Sequence, residues 1–79
     1  MNRYVYFVTH DYDYEGHSIV SVESSAVKAV KLAEKNKGGD YTTVMRYTIG
    51  SGSTKSKMIA QWKRTSVRGP HNYKRLAND

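Results

Sequence analysis

The residues with the clearest chemistry lie in the second half of the chain, where cations and aromatic rings mix without acids. Residues 41–78 contain no Asp or Glu but have eight basic side chains. These are Arg46, Lys55, Lys57, Lys63, Arg64, Arg68, Lys74 and Arg75. Cations of this kind bind phosphate oxygens, and interleaved aromatic rings stack on nucleobases. The pattern indicates an anionic ligand, most commonly nucleic acid.

Aromatic residues complete the predicted binding surface. Trp62 and Tyr73 stand among these cations, and Trp62, Tyr47 or Tyr73 is expected to stack or pack against a partner. We expect the ligand on the 50–57 loop, the fourth strand and the tail. The helix lysines Lys28, Lys31 and Lys35 form a separate, solvated face. Strand tyrosines and basic tails also serve purely structural or solvating roles, and that interpretation stays open.

Charge is distributed unevenly along the chain. Residues 1–24 have one basic and four acidic residues, a balance of −3, whereas residues 25–79 have twelve basic and three acidic ones, a balance of +9. The sum is the formal net charge of +6. This asymmetry favours an anionic partner for the second half. A charge of this size is also ordinary for solubility in a small domain.

The acidic segment at residues 11–16 invites comparison with a calcium loop. Gly16 occupies the sixth position of such a loop, but the twelfth is Val22, where a bidentate Glu is required. His10 and His17 flank the acids and would face each other across a hairpin. A polar hairpin tip is the interpretation that we favour, because such tips are rich in Asp and Gly. No metal is predicted.

Catalysis and nucleotide hydrolysis are not predicted. Residues 50–56 resemble a phosphate-binding loop, but Thr54 stands where that motif requires glycine before the lysine, and a strand follows instead of a helix. No serine lies in a nucleophile elbow, and the chain has no cysteine. We therefore expect a non-enzymatic protein without a cofactor.

Size and composition predict a single small domain. A chain of 79 residues buries only roughly 60% of the surface that its unfolded form exposes. Without cysteine, no disulfide compensates for the small core. The start of the chain lacks a signal segment, and no apolar run approaches the roughly 20 residues of a membrane helix. The expected location is the cytoplasm.

The order of elements is predicted as β-β-α-β-β. Residues 4–9 are β-branched or aromatic on both faces, which is typical of a central strand. Residues 18–22 follow after a short loop and predict a hairpin partner. Further strands are expected at residues 41–49 and 58–65, separated by a Gly/Ser-rich loop. The Gly69-Pro70 pair interrupts the tail.

One amphipathic helix is predicted over residues 26–36. Ser24 or Ser25 can cap its first turn. Its apolar stripe of Ala, Val and Leu contains small residues, which would let the helix lie close to a sheet. Gly38 and Gly39 are expected to end it, because glycine adopts the left-handed conformation without penalty.

These elements predict an α+β fold, a four-stranded antiparallel sheet with one helix on one face. The domain would span residues 1–65, with residues 66–79 as a basic C-terminal arm that is either partly disordered or a binding arm. Tyr4, Tyr6, Tyr41, Tyr47 and Trp62 cannot all lie under one short helix. Some of these rings should therefore be exposed on the other face, or buried there in a homodimer.

The first half of the chain resembles a class of small uncharacterised bacteriophage and bacterial proteins. The resemblance rests on the strand at residues 4–9, the Tyr14-Glu15-Gly16 turn, and Val22-Glu23-Ser24-Ser25 before a Lys/Ala-rich helix. It covers about the first 36 residues and carries no site residues. It implies a small stoichiometric binder of host machinery or host defence proteins.

Two functions follow as expectations. The first is a basic binding module that engages nucleic acid or a nucleoprotein through its C-terminal half. The alternative is a phage-type inhibitor or adaptor that blocks a host defence or nucleic-acid-processing protein. No membrane partner is expected.

Overall fold

The computed structural model describes residues 3–50, 55–65 and 73–76. These residues form one antiparallel sheet with the strand order β2-β1-β3-β4-β5, and a single helix. The elements are β1 (Arg3–Tyr12), β2 (Gly16–Glu23), α1 (Ala26–Lys35), β3 (Tyr41–Ile49), β4 (Ser56–Arg64) and β5 (Tyr73–Leu76). The predicted α+β class is confirmed.

The predicted number of strands and the predicted β-β-α-β-β order are wrong, because the sheet has five strands and the order is β-β-α-β-β-β. The fifth strand comes from the segment that we expected to be a basic arm. It has only four residues and pairs with the end of β4, where Arg75 lies opposite Trp62. A strand this short leaves almost no alternating pattern in a sequence. The rest of the arm, including Arg68, and residues 51–54 of the loop lie outside the described residues.

Strand β1 is an interior strand of the sheet, as its two apolar faces predict. It pairs with β2 on one side and with β3 on the other. It runs to Tyr12 and therefore includes Asp11, which the sequence placed in a loop. Register shifts occur at Val8/Thr9 against β2 and at Val44/Met45 against β4. Shifts of this kind bend the strands and increase their twist.

The helix covers one face of the sheet with its small residues. Ala29 and Ala33 are fully buried and pack on Val8, Val44 and Ala60, which are neighbours across three strands. Alanine at the contact lets the helix axis approach the sheet closely. Among the described residues, no helix is long and apolar enough to cross a membrane.

The helix begins and ends with side-chain and backbone caps. Ser25 accepts a hydrogen bond from the Lys28 backbone N–H at 3.4 Å, as predicted for one of the two serines. At the other end Asn36, not glycine, is the cap, and its N–H bonds to the carbonyls of Leu32 and Ala33. The prediction that Gly38 and Gly39 end the helix is therefore wrong. The glycines instead pack against the end of β1.

The two glycines let the connection after the helix press against the end of β1. A Cβ atom on Gly38 would lie 2.6 Å from the His10 ring. Gly39 has a φ of +65°, and a Cβ there would lie 2.7 Å from the backbone oxygen of Asp11. We call residues 38–40 the 38–40 turn. A side chain is therefore excluded at Gly39 by the backbone, whereas a side chain at Gly38 would have to displace the His10 ring.

Asp40, the last residue of the 38–40 turn, joins three strands. Its N–H bonds to the Asp11 carbonyl at 2.8 Å, and its carboxylate accepts from the Asp13 N–H at 3.0 Å. The same carboxylate pairs with the Arg64 guanidinium at 2.7 Å. The Asp40 carbonyl accepts from the Arg64 N–H at 3.0 Å. This turn therefore links β1 and β4 to the start of β3.

The fit of Gly39 is tested by comparing two alanine substitutions. Gly39 and Gly16 both have positive φ, but an added Cβ at Gly16 meets no atom within 4 Å. Gly16→Ala should lower the free energy of unfolding by about 1 kcal/mol through backbone strain alone. Gly39→Ala should cost about 1–3 kcal/mol more, because its methyl overlaps a backbone oxygen. Urea unfolding measures both, and equal losses would contradict this account.

Tyr73 anchors β5 to the 38–40 turn, since its hydroxyl donates to the Gly39 carbonyl at 2.9 Å. Tyr73→Phe should lower the free energy of unfolding by about 1 kcal/mol at neutral pH. Burial raises the pKa of Tyr73 above its ordinary 10.0, although the Arg64 charge opposes the shift. The unfolded chain therefore releases this proton first as pH rises.

The contribution of Tyr73 is consequently complete below about pH 10 and decreases as pH rises through the folded-state pKa. The wild-type and Tyr73→Phe proteins should therefore approach each other in stability above about pH 10. Urea unfolding at a series of alkaline pH values measures this. A difference that stays constant throughout the series would exclude the proposed anchoring.

Candidate functional site

The ten predicted site residues are divided between the two faces of the sheet. Strand alternation and register place six of them on the face that α1 covers, which we call the helix side. These six are Arg46, Lys57, Trp62, Arg64, Tyr73 and Arg75. Lys63 and Lys74 lie on the opposite, open face. Lys55 is exposed just before β4, and Arg68 lies outside the described residues.

The arginines of the helix side are engaged within the protein. Arg64 pairs with Asp40. Arg75 lies 5.4 Å from the centre of the Trp62 ring and 4.0 Å from the Glu34 carboxylate. Arg46 stacks over the Tyr4 ring at 4.4 Å. The Arg64–Asp40 pair stabilises the fold, whereas the Arg75 and Glu34 side chains are about half exposed and form only a weak surface pair. Among the described residues, the buried Nε of Arg46 has no hydrogen-bond partner.

Trp62 is a core residue and not a surface aromatic. Its side chain is only 3% exposed and belongs to the cluster formed by Val8, Val44 and the helix alanines. It therefore has no free ring face for a nucleobase in this structure. The expectation that Trp62 stacks on a ligand needs correction. Tyr73 is half-buried against the same core, and its hydroxyl donates to the Gly39 carbonyl.

The open face brings together residues of the second half and of β1. A concavity of about 360 Å³ lies at its centre. It is lined by Phe7, Thr9, Asp11, His17, Ile19, Thr43, Met45, Tyr47, Met58 and Gln61. Of the predicted rings, Tyr41 and Tyr47 lie on this face, whereas Tyr6 and Trp62 are buried on the helix side. The rings are therefore divided between the two faces, but Tyr41 and Tyr47 are half-buried, and the exposed ring of the five is Tyr4 on the helix side.

A chain of hydrogen bonds crosses the floor of the concavity. Gln61 Nε2 donates to Thr43 Oγ1 at 3.3 Å, and Thr43 Oγ1 donates to Asp11 Oδ2 at 2.6 Å. Thr9 Oγ1 donates to Asp11 Oδ1 at 3.1 Å. Both threonines are buried, whereas Asp11 is half-buried. The carboxylate is therefore held in one orientation at the edge of the concavity.

The wall of the concavity is apolar. Phe7 and Tyr47 meet edge to face, with ring centres 5.1 Å apart. Met45 and Met58 lie opposite each other across β3 and β4, and Ile19 extends the wall onto β2. Methionine and aromatic side chains adapt to flat, polarisable groups. One side of the concavity is therefore suited to a planar ring.

Two exposed lysines stand at the β4–β5 end of the open face. Lys63 and Lys74 are directly opposite each other in the register. Among the described residues, neither has an ion-pair partner. Like charges in directly opposite positions are unfavourable in a sheet. A bound anion would relieve this repulsion.

The two histidines do not face each other, contrary to our expectation. His10 lies on the helix side, where its Nε2 bonds to the Asn36 carbonyl and its ring packs on Gly38. His17 lies on the open face, opposite Asp11. Their different faces follow from the register. Within the described ranges, no group of three His, Asp or Glu residues is placed to hold a metal.

The most organised part of the site was not among the predicted residues. Asp11, Thr43 and Gln61 were assigned to a loop or to strands without a role. A usable signal exists in β3, where polar Thr43 stands on the same face as Met45 and Tyr47. The sequence does not predict that Asp11 belongs to a strand, because an acid next to a polar loop is not typical of strands.

The arrangement can therefore bind a planar, partly polar group in the concavity and an anion at the lysines. Comparison of the chain with known protein families, with curated proteins and with solved structures found no match.

Proposed function

We propose that this protein is a non-enzymatic binding module that holds single-stranded nucleic acid on the open face of its sheet. The observation that carries the proposal is the exposed Lys63–Lys74 pair beside an aromatic and apolar concavity. Single strands are bound by cations that contact the backbone and by surfaces on which bases stack. The open face combines both features.

The charge of the chain supports this choice of ligand. The net charge is +6. Three residues lie in register with the lysine pair across the sheet, and only one of them is an acid: His17, Asp11 and Tyr41. The arginines are engaged on the helix side, so the open face relies on lysine. Lysine binds phosphate as a point charge without demanding one geometry. This suits a flexible backbone.

The form of the open face favours a single strand over a duplex. A concavity within a sheet accepts one unstacked base at a time, whereas a duplex keeps its bases paired inside. The rings of Phe7 and Tyr47 are half-buried, and Tyr41 extends the surface towards Lys63. Bases of single strands are commonly recognised by stacking on such rings.

A protein partner is the second candidate, because apolar side chains are exposed on the same face. Ile19, Val22, Ile49 and Met58 are each more than a third exposed there. Clusters of exposed apolar residues mark docking surfaces. In this alternative the chain acts as an inhibitor or adaptor that covers a surface of another protein. Binding would then depend little on salt.

The lysine pair provides the test of the first candidate. Lys63→Gln/Lys74→Gln should weaken binding to single-stranded oligonucleotides by about tenfold at about 0.1 M salt and reduce the slope of log K against log salt by about 1.4. The control is Lys28→Gln/Lys31→Gln, which removes the same charge from the exposed side of α1. Fluorescence anisotropy across a salt series measures both.

The control should lose much less affinity, since its lysines are far from the open face. Equal losses in the two variants would mean that net charge, and not the open face, attracts the strand. Absent or salt-insensitive binding to DNA and RNA alike would refute the first candidate and leave the second.

A further inference from the structure

We infer that the concavity at Asp11 is a subsite for one guanine base of the bound strand. This inference rests on the proposed function and specifies its ligand. The subsite consists of the oriented Asp11 carboxylate, the threonine floor and the apolar wall of Phe7, Met45 and Met58.

The carboxylate has unused acceptor positions. An ionised carboxylate offers about four of them. Thr9 occupies one on Oδ1 and Thr43 occupies one on Oδ2. The two oxygens therefore remain able to accept a pair of parallel N–H groups. A ligand with two adjacent donors in one plane satisfies both.

The orientation of this carboxylate is fixed before any ligand arrives. The Thr43 hydroxyl donates a hydrogen bond to the Asp11 carboxylate, and its oxygen accepts one from the Gln61 amide. Because both threonine hydroxyls are buried, water competes little for these bonds. A preorganised acceptor loses less freedom on binding than a mobile surface acid.

Guanine is the base whose edge fits this acceptor. Its N1–H and N2–H groups are adjacent and lie in the plane of the ring. On cytosine and adenine the amino donor stands beside a ring nitrogen that is itself an acceptor, so one carboxylate oxygen would meet a lone pair. On uracil and thymine the single N–H is flanked by two carbonyls. The carboxylate therefore accepts guanine and repels the other edges.

The size and wall of the concavity suit a base. Its volume of about 360 Å³ lies near the lower end of the range for small-ligand sites, about 300–1,000 Å³. A purine edge directed at Asp11 would place its ring over the threonines and against Met45, Met58 and Phe7. Thioethers and aromatic edges pack favourably on such rings.

The position of Lys63 connects the subsite to the backbone of the strand. Asp11 lies opposite Tyr41, and Tyr41 lies opposite Lys63, so two strand spacings separate the Cα atoms of Asp11 and Lys63. This is roughly 10 Å. The sugar and phosphate of one nucleotide can bridge that separation. An arginine of a partner protein offers the same two donors, but the Lys63–Lys74 pair would repel a basic peptide.

The test uses nine-residue thymidine strands that differ only at the central base. With the wild-type protein, a central guanine should bind about tenfold more tightly than thymine, adenine or cytosine. Replacing guanine by inosine, which lacks the N2 amino group, should remove most of this preference. Fluorescence anisotropy on unaltered protein measures the series, so its outcome does not depend on the folding of any variant.

Asp11→Asn provides the second arm, because it keeps the shape but replaces one acceptor by a donor. It should abolish the preference for guanine, so that the guanine strand binds no more tightly than the all-thymidine strand. The control is Asp13→Asn, which removes the same charge from an exposed position outside the concavity. That variant should keep the preference for guanine.

The outcomes separate the two levels of the proposal. Equal binding of guanine, inosine and the other bases overturns the subsite but leaves the proposed function intact. A preference for guanine that survives in Asp11→Asn also overturns it. No binding to any strand overturns both. Tighter binding of an arginine-containing peptide than of the guanine strand reassigns the subsite to a protein partner and overturns the guanine assignment.

Discussion

The close approach of the 38–40 turn to the end of β1 is the constraint on which the rest of the fold depends. Gly38 packs against the His10 ring, and Gly39 packs against the Asp11 backbone at a distance that leaves no room for a Cβ atom. Asp40 then bonds to β1 and to Arg64 of β4, and the Gly39 carbonyl receives Tyr73 of β5. One turn thus holds four strands in a domain too small for a large core.

This use of the 38–40 turn also decides which cations remain free. Asp40 engages Arg64, and the helix engages Arg75 through Glu34. A planar guanidinium suits such fixed partners, whereas the more strongly hydrated lysine ammonium stays in solvent. The acid-free second half therefore does not form one basic surface. Arg46, Arg64 and Arg75 lie on the helix side, whereas Lys63 and Lys74 are exposed on the open face.

Periodicity predicted the elements with long, regular patterns and failed where the pattern was short or mixed. The bounds of β3 and the buried alanine stripe of α1 follow directly from alternation and helical spacing. Strand β5 is too short to produce a pattern, and it exists because Trp62 and the 38–40 turn offer partners distant in sequence. Asp11 joins β1 for the same reason, since its strand pairing depends on residues of β3.

The constraint of the fold and the geometry of the site meet at Asp11. Its backbone carbonyl is held by the Asp40 N–H, and its carboxylate is held by two buried threonines. A surface acid normally moves freely and would be a poor reader of a base. Here the Asp40 contact fixes the backbone at the end of β1, and the two threonine hydroxyls fix the carboxylate on the open face. The same bonds that stabilise this small domain therefore also hold the Asp11 side chain rigid, and a rigid acceptor can discriminate between ligands.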